Sequence, residues 1–352
     1  MYTTNNISGP LLHWYKKSKR SMPWRKTKDP YTIWLSETML QQTQVKTVIP
    51  YYNTWIENFP HFKSVAKAHS DSLLLIWEGL GYYNRCHNFH KAVKIIVKKY
   101  NSCLPANIED FMALPGVGIY TAAAVYSIVF SYPIPVVDGN VNRVMARLLR
   151  LKRFTPFNKK RILSTLNKCI DKSHPGNFNQ ALMELGSIIC IPKTPKCQNC
   201  PLKPHCGAAV SGNPSRYPLA KTKKTFPWKN VVVGLIWENS SFLILKRAGY
   251  KHLNDLWELP GGKVLKKQDP KSQLVGMLKK KYNLDVSIEN KIGEVCHRYS
   301  HFGISISSFD CITINRSKLM VNQPYRWIKK HEINQFAFPK ANHKIFSSML
   351  EN

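Results

Sequence analysis

Residues 114–147, LPGVGIYTAAAVYSIVFSYPIPVVDGNVNRVMAR, combine a glycine turn, an apolar helix and the start of a second helix. Gly116 and Gly118 closely follow Leu114 in a tight hairpin, and a helix of small apolar residues comes next, near 120–130. The backbone N–H groups of a hairpin that leads into a helix can face a phosphate. The stretch therefore predicts a helical module with a phosphate-binding turn.

A second helix in this stretch begins at Val-Asp-Gly-Asn, with Asp138 or Asn140 as its cap. Val141, Val144 and Leu148 recur at helical spacing, which gives this helix a buried face. Asp138 therefore lies at a fixed helix start, close in sequence to the hairpin. Helix capping alone explains an aspartate here, and a functional carboxylate is the alternative.

The whole chain has 352 residues, which is enough for about two domains. Its 52 Lys and Arg against 20 Asp and Glu give a formal net charge of +32. Nucleic acid is the obvious partner for such a charge, although a drift of composition towards lysine also explains it. There is no apolar run of the ~20 residues that a membrane helix needs, and the start MYTTNNIS does not predict a secretory signal. We expect a cytoplasmic protein without a membrane partner.

An earlier helix, capped by Asp29-Pro30 and predicted to run to about Ile49, places Glu37 beside apolar neighbours. Burial next to Trp34 and Met39 would raise the pKa of Glu37 and allow it to donate a proton near neutral pH. Solvent exposure is the more common position of a lone glutamate on a helix.

A glycine-rich turn separates two helices predicted at about 64–77 and 84–100. Its two glycines permit a sharp reversal that exposes Tyr82 and Tyr83. A flat aromatic side chain at a turn can wedge between bases, and ordinary packing is the alternative.

Four cysteines follow the helix predicted at about 176–190, with the spacing Cys190-x6-Cys197-x2-Cys200-x5-Cys206. Clustered thiols in a cytosolic chain indicate a metal site, not disulfide bonds. Zinc sites of four cysteines usually contain two close pairs, whereas only one pair is close here. The pattern favours one 4Fe-4S cluster, with zinc as the alternative.

The second part of the chain follows a basic linker at 212–227. Beyond the linker the pattern changes to strands, including a hairpin of 231–237 with 242–246, and to helices near 270–282 and 340–350. We predict an all-α region of residues 1–211 and an α+β domain of residues 228–352.

Together, these motifs resemble the adenine DNA glycosylase family of the helix-hairpin-helix superfamily, which also includes endonuclease III. The resemblance covers essentially the whole chain. It rests on WLSETMLQQTQV at 34–45, EGLGYYNR at 78–85, LPGVGIYTAAAV at 114–125, VVDGNVNRV at 136–144 and the four-cysteine loop. It implies a helix-hairpin-helix module at about 25–135, a cluster module of 1–24 and 136–211, and a Nudix-like domain at 228–352 that recognises 8-oxoguanine.

The chemistry implied by this resemblance is base excision from double-stranded DNA that contains an adenine:8-oxoguanine or adenine:guanine mispair. Such enzymes flip the adenine out of the duplex and cleave its N-glycosidic bond. Glu37 matches the family's general acid, and Asp138 matches the carboxylate that stabilises the positive transition state. Asn140 is expected to orient Asp138, and Tyr120 to line the same pocket.

Position 120 also predicts the reaction class. Related lyases carry at this position a lysine that forms a Schiff base, whereas Tyr120 cannot form an imine. We therefore expect a monofunctional glycosylase that leaves an abasic site. Separately, we expect the protein to be a monomer. By the same resemblance, the residues that contact DNA or the adenine are Arg25, Gln42, Tyr82, Leu114, Gly116, Gly118 and Gln180.

The second domain retains only a degenerate Nudix box. With Gly262 as its first glycine, the positions normally occupied by magnesium-binding carboxylates hold Gln268, Met277, Lys280 and Lys281. Pyrophosphate hydrolysis is therefore not expected. The residues that match the family's lesion-reading Phe-Ser-His loop are Tyr299, Ser300 and His301.

Three alternatives remain open from the sequence. The first is a lyase-type glycosylase like endonuclease III, against which Tyr120 and the domain beyond residue 228 argue. The second is a DNA-binding protein without catalysis, which has no need of Glu37. The third is a Nudix hydrolase with an extra domain, which the missing carboxylates disfavour.

Overall fold

The structure is a computed structural model that describes residues 6–219, 226–249, 253–265, 269–299, 302–314 and 319–351. These residues form two compact units. The first contains the chain up to Lys67 and from Asn88 to the linker, and the second contains Ala68–His87 and the chain after the linker. The predicted linker at 212–227 did not indicate that a helical segment from the first half belongs with the second unit. That grouping arises from pairs of residues far apart in sequence, such as Asp71 and Lys246.

Helices form the regular structure of the described residues before the linker. Their bounds are α1 Ser8–Ser18, α2 Pro30–Leu40, α3 Val45–Asn58, α4 Phe62–Lys67, α5 Ser70–Trp77, α6 Asn84–Lys99, α7 Ile108–Met112, α8 Ile119–Val129, α9 Gly139–Leu148, α10 Pro156–Cys169, α11 Pro175–Ile188 and α12 Gly207–Val210.

The start of α2 is as predicted, but its end is not. Asp29 caps the helix by accepting hydrogen bonds from the backbone N–H groups of Tyr31 and Thr32. The helix stops at Leu40, and Gln42 takes a left-handed backbone conformation with φ of 59°. A left-handed residue cannot continue a right-handed helix, so the prediction of one helix to Ile49 is wrong.

Aromatic packing fixes the position of α2 in the first unit. The fully buried Trp34 meets the edges of Phe89 and Phe111, with ring centroids 4.8 and 5.0 Å apart. Burying one such side chain contributes roughly 2–3 kcal/mol. Trp34 lies almost one turn before Glu37, so this packing also fixes the direction of the glutamate.

A second core of the first unit joins the N-terminal helix to the later helices. Leu11 and Tyr15 of α1 are buried with residues of α9, α10 and α11, including Phe178 and Leu182. Cys190, Cys200 and Cys206 pack against the same core from its margin. The apolar face that the sequence predicted for α9 is therefore the face that lies in this core.

The second unit contains a mixed sheet between two helices. Its strands are β1 Trp228–Glu238, β2 Ser241–Lys246, β3 Trp257–Glu258, β4 Gly261–Lys263, β5 Val286–Arg298, β6 Gly303–Thr313 and β7 Tyr325–Lys329. The main path is β3-β2-β1-β6-β5, with β1 and β6 parallel, while β4 pairs with β1 and β7 pairs with β2. The predicted hairpin of β1 and β2 is confirmed.

Two helices cover the sheet from opposite faces. Alternate residues of β1 explain this, because Leu235 packs with helix α14 (Lys340–Glu351), whereas Ile236 packs with helix α13 (Pro270–Tyr282). The expected α+β architecture is confirmed. No helix among the described residues has the length and apolar character required to cross a bilayer.

Candidate active site

A cavity of about 590 Å³ in the first unit collects most of the residues singled out for catalysis. It is lined by residues from α2, α8, α9 and α11 and from the segment before α2. The predicted residues that line it are Arg25, Glu37, Tyr120, Asp138, Asn140 and Gln180. Side chains separated by more than 150 positions in sequence therefore meet at one site.

Glu37 is buried in this cavity, with 5% of its surface exposed. Burial raises its pKa to about 7, and the negative charge of Asp138 acts in the same direction. The hydroxyl of Tyr120 donates a hydrogen bond to Glu37 Oε2 at 2.9 Å and partly offsets this rise. Glu37 is thus a carboxyl group that can hold and donate a proton near neutral pH.

Asp138 is both a helix cap and a cavity residue. Its Oδ1 accepts the backbone N–H of Val141 at 2.6 Å, and its Oδ2 accepts the side-chain amide of Asn140 at 3.0 Å. Burial raises the pKa of Asp138, whereas these two donors oppose the rise by stabilising the carboxylate. Asp138 is therefore a helix cap that also lines the cavity, and its role as a functional carboxylate stays a prediction.

The orientation of Asn140 depends on a residue that the sequence did not single out. Arg143 donates to Asn140 Oδ1 at 2.8 Å and to the Gly186 carbonyl at 2.6 Å. It also donates to the carbonyl of Cys190 at 2.8 Å. Its position three residues after Asn140, on the same face of α9, was the available signal. A Cβ on Gly186 would lie 2.7 Å from Asn140 Cβ, so glycine is required for this approach.

A second hydrogen-bonded group lies at the other side of the cavity. Arg25 and Arg20 both bind the carboxylate of Glu184, at 3.0 and 2.7 Å. The Tyr15 hydroxyl donates to Gln180 Oε1 at 3.2 Å. The sequence predicted Arg25 and Gln180, but not the residues that hold them, because those partners are about 160 positions away in the chain.

Tyr120, the position used above to predict the reaction class, lies in this cavity. Its hydroxyl contacts Glu37 and also lies 3.5 Å from the sulfur of Met183. Burial raises the pKa of Tyr120 well above its usual value, so the phenol stays protonated. It therefore acts as a hydrogen-bond donor at this position.

The hairpin between α7 and α8 has the predicted turn. Gly116 has φ of 78°, and a Cβ there would lie 2.7 Å from Asn88 Cβ. Gly118 has an ordinary φ of −99° and open space around it. Leu114 is buried and accepts the N–H of Val117. Gly116 is therefore needed for the turn itself, whereas Gly118 leaves room beside the start of α8.

The two predicted wedge residues lie in turns. Gln42 is exposed in the turn between α2 and α3. Tyr82, in the second unit, is partly exposed with φ of 50°. Tyr83, which the sequence predicted to be exposed, is buried, and its hydroxyl accepts the N–H of Gly79. That prediction is wrong, because the reversal at the turn directs the two neighbouring tyrosines to different environments.

Tyr299 lies at the end of β5 in the second unit. Its ring packs edge-on against His297, with 4.6 Å between the ring centroids. It also packs in a tilted arrangement against Phe302, with 5.1 Å between the centroids. Burial raises its pKa to about 12. Ser300 and His301 lie outside the described residues, as does Gln268 of the degenerate Nudix box. Lys281 of that box donates to the carbonyl of Gly261 at 2.9 Å.

The four clustered cysteines lie on the loop after α11. Cys190, Cys200 and Cys206 pack against the margin of one core, and burial raises the pKa of the Cys200 thiol to about 12. The guanidinium of Arg147 donates to Cys190 Sγ at 3.2 Å. Within the described part of the chain, no three His, Cys, Asp or Glu side chains form a group that could hold one metal ion. A donor set of four soft thiolates suits an iron–sulfur cluster.

Comparisons with known proteins show the family of the chain. A profile of the HhH-GPD superfamily of base excision DNA repair proteins matches residues 35–172, and a NUDIX domain profile matches residues 232–348. The adenine DNA glycosylase of Buchnera aphidicola subsp. Acyrthosiphon pisum is 34% identical over 345 residues, covering 97% of this chain and 91% of the relative. The chain belongs to the adenine DNA glycosylase family. The predicted resemblance is confirmed.

Solved structures show the same helical fold in other glycosylases. A thermostable thymine-DNA glycosylase matches with a TM-score of 0.54 and 26% identity, covering 58% of this chain and 95% of its own. A trapped endonuclease III–DNA covalent intermediate matches with a TM-score of 0.52 and 24% identity, covering 60% of this chain and 99% of its own. The second match shows the fold alone. This adenine DNA glycosylase family member therefore combines that helical fold with a Nudix-like domain.

Proposed function

We propose that this protein removes adenine mispaired with 8-oxoguanine or guanine from double-stranded DNA and leaves an abasic site. The observation that carries the proposal is the buried Glu37, whose pKa is about 7, in the same cavity as Asp138. A protonated acid beside a carboxylate held by fixed donors is the arrangement that glycosidic cleavage requires.

The reaction begins when the adenine is flipped into the cavity. Glu37 gives its proton to the adenine ring, and the N-glycosidic bond breaks with its electron pair going to the base. Asp138, held by Val141 and Asn140, stabilises the positive charge that develops on the sugar. Water adds to the sugar carbon and gives a proton back to Glu37. No step forms an imine, because Tyr120 replaces the lysine of the lyases.

Selectivity for adenine is assigned to Gln180 and Arg25, which line the cavity. The Tyr15 hydroxyl occupies the oxygen side of the Gln180 amide, so the NH2 group is directed to other acceptors. A ring nitrogen of adenine is such an acceptor. Arg25 is held by Glu184 and by a hydrogen bond to the Arg20 carbonyl, which fixes the rim of the pocket.

DNA binding is assigned to the exposed turns and to the strong positive charge. The hairpin around Gly116 and Gly118 is proposed to bind a phosphate, and Gln42 and Tyr82 to enter the base stack. A net charge of +32 favours binding to the DNA backbone. The Nudix-like domain is proposed to read 8-oxoguanine through Tyr299, Ser300 and His301.

One 4Fe-4S cluster is proposed to be held by Cys190, Cys197, Cys200 and Cys206. When bound, the cluster supplies a rigid cross-link of the cysteine loop. Arg147 stabilises the conformation of this loop, because it also donates hydrogen bonds to the carbonyls of Ile191 and Pro192. We propose that the protein acts as a cytoplasmic monomer, with the catalytic region at residues 1–211 and the lesion-reading domain at residues 228–352.

The test replaces Glu37 with Gln. Glu37→Gln keeps the size of the side chain but has no proton to donate, so adenine release from an adenine:8-oxoguanine duplex should fall by at least about 100-fold. Affinity for the same duplex should change little. Glu57→Gln, at an exposed position on α3, is the matched control. Release by Glu37→Gln at the rate of the control would overturn the assignment of the acid.

A further inference from the structure

The segment that carries Tyr82 is fastened to the Nudix-like domain. Ala68–His87 belongs to the same compact unit as the chain after the linker. Asp71, in the first helix of this segment, accepts a hydrogen bond from the ammonium group of Lys246 on β2 at 2.5 Å. At its end, His87 Nε2 lies 3.2 Å from the carbonyl of Asn254. Both ends of the segment are thus bound to the domain.

A third contact with the domain lies between these two, at Glu78, the residue before the glycine turn. Glu78 Oε1 accepts the backbone N–H of Phe338 at 2.5 Å and the Nε2–H of His343 at 2.7 Å. Only 22% of the Glu78 side chain is exposed. Hydrogen bonds to a charged acceptor are stronger than those between neutral groups, and partial burial protects them from screening. Glu78 is therefore an anchor between the turn and the start of α14.

The turn between Glu78 and Tyr82 is held by several side-chain contacts. The indole N–H of Trp77 and the guanidinium of Arg85 both donate to the carbonyl of Gly81, at 3.1 and 3.0 Å. The guanidinium also lies 5.4 Å from the ring centres of Trp77 and Tyr82, so it is held between the two aromatic side chains. The backbone between Glu78 and Tyr82 therefore has little freedom.

We infer that Glu78 is a positioning residue, which fixes the Tyr82 side chain to the Nudix-like domain through His343 and Phe338. The inference rests on the proposed function, in which this domain reads 8-oxoguanine and Tyr82 enters the base stack. The Nudix-like domain and the turn that carries Tyr82 then act as one rigid body on the duplex. Neither the turn motif nor the degenerate Nudix box assigns a role to Glu78.

The test measures single-turnover adenine release from an adenine:8-oxoguanine duplex. Glu78→Ala should slow release at least about tenfold, because it removes both hydrogen bonds to the charged carboxylate, from Phe338 and from His343. Glu78→Gln should retain most of the rate, because its amide oxygen still accepts the Phe338 N–H. His343→Ala should slow release less than Glu78→Ala, because the Phe338 contact remains. Glu57→Ala removes the same charge from an exposed position and should match the wild type.

A second set of variants separates positioning from a general loss of structure. In a Tyr82→Ala background, Glu78→Ala should cause no further slowing, because it acts through the missing side chain. Equal, multiplicative slowing in both backgrounds would overturn the inference. A wild type that releases adenine no faster than Glu78→Ala would overturn it as well. A wild type that releases no adenine would instead overturn the proposed function on which it rests.

Discussion

The chemistry of the site depends on how single side chains are held. Glu37 has its raised pKa because Trp34 and the helix around it are packed into the aromatic core, which removes water from the carboxyl group. Asp138 experiences the same burial but receives two hydrogen bonds, from Val141 and Asn140. Two carboxyl groups in one cavity thus have different surroundings, and we propose that they take different parts in the reaction.

The pH dependence of base release follows from the pKa of Glu37. The acid must be protonated to act, so the rate should be constant well below pH 7 and should fall about tenfold per pH unit above it. Single-turnover rates between pH 5.5 and 9 measure this. A rate that stays constant to pH 9 would show that Glu37 is not the proton donor.

The same group should make stability depend on pH. The folded-state pKa of about 7 lies above the usual 4.5, so the unfolded chain loses this proton first as the pH rises. Stability is therefore fully present below pH 4.5 and falls between pH 4.5 and 7, by about 3 kcal/mol in total. Glu37→Gln lacks this loss and should exceed the wild type in denaturant stability at pH 8 but not at pH 4.5. Equal pH profiles for both proteins would contradict this.

Tyr15 offers a test of the adenine pocket. Tyr15→Phe keeps the buried ring but removes the hydroxyl that binds Gln180, so the amide loses its fixed direction. Adenine release under kcat/KM conditions should fall roughly three- to tenfold, the effect of about one hydrogen bond. Tyr325→Phe, at an exposed position on β7, is the control. An unchanged rate for Tyr15→Phe would show that Gln180 needs no support.

At the scale of elements, short-range signals predicted the starts of helices well. Asp29 was recognised as a cap, and Asp138 as one of two candidates, because a side-chain oxygen and the following N–H groups are close in sequence. The break after Leu40 was not predicted, because Gln41–Gln44 contains neither glycine nor proline. The left-handed conformation of Gln42 marks that break only in the structure.

The hairpin contains two glycines, Gly116 and Gly118, whose substitution by alanine is expected to affect stability differently. Gly116→Ala places a Cβ 2.7 Å from Asn88 at a positive φ, so it should lower the free energy of unfolding by about 1–3 kcal/mol. Gly118→Ala meets no atom within 4 Å at a negative φ and should leave stability within about 0.5 kcal/mol of the wild type. Denaturant unfolding measures both. Equal losses for the two variants would contradict the geometry of the turn.

At the scale of the whole molecule, the sequence pattern predicted a helical region followed by an α+β domain, and the resemblance implied that this domain is Nudix-like. They did not predict that Ala68–His87 groups with the second unit. That grouping depends on contacts such as Glu78 with His343, which join residues 265 positions apart. Tyr15 was missed for a similar reason, since its partner Gln180 lies 165 positions away, whereas Arg143 lies only three residues after Asn140 and could have been found from that spacing. Pattern locates elements, whereas long-range pairs determine which of them pack together.

The central claim is that the whole chain is a monofunctional adenine glycosylase. The most direct test is single-turnover reaction with a duplex that carries adenine opposite 8-oxoguanine, analysed with and without alkali afterwards. Our account predicts release of adenine, with strand breaks appearing mainly after alkali, because Tyr120 cannot form an imine. Strand breaks that form as fast as adenine is released, without alkali, would contradict it and require an amine nucleophile elsewhere in the site.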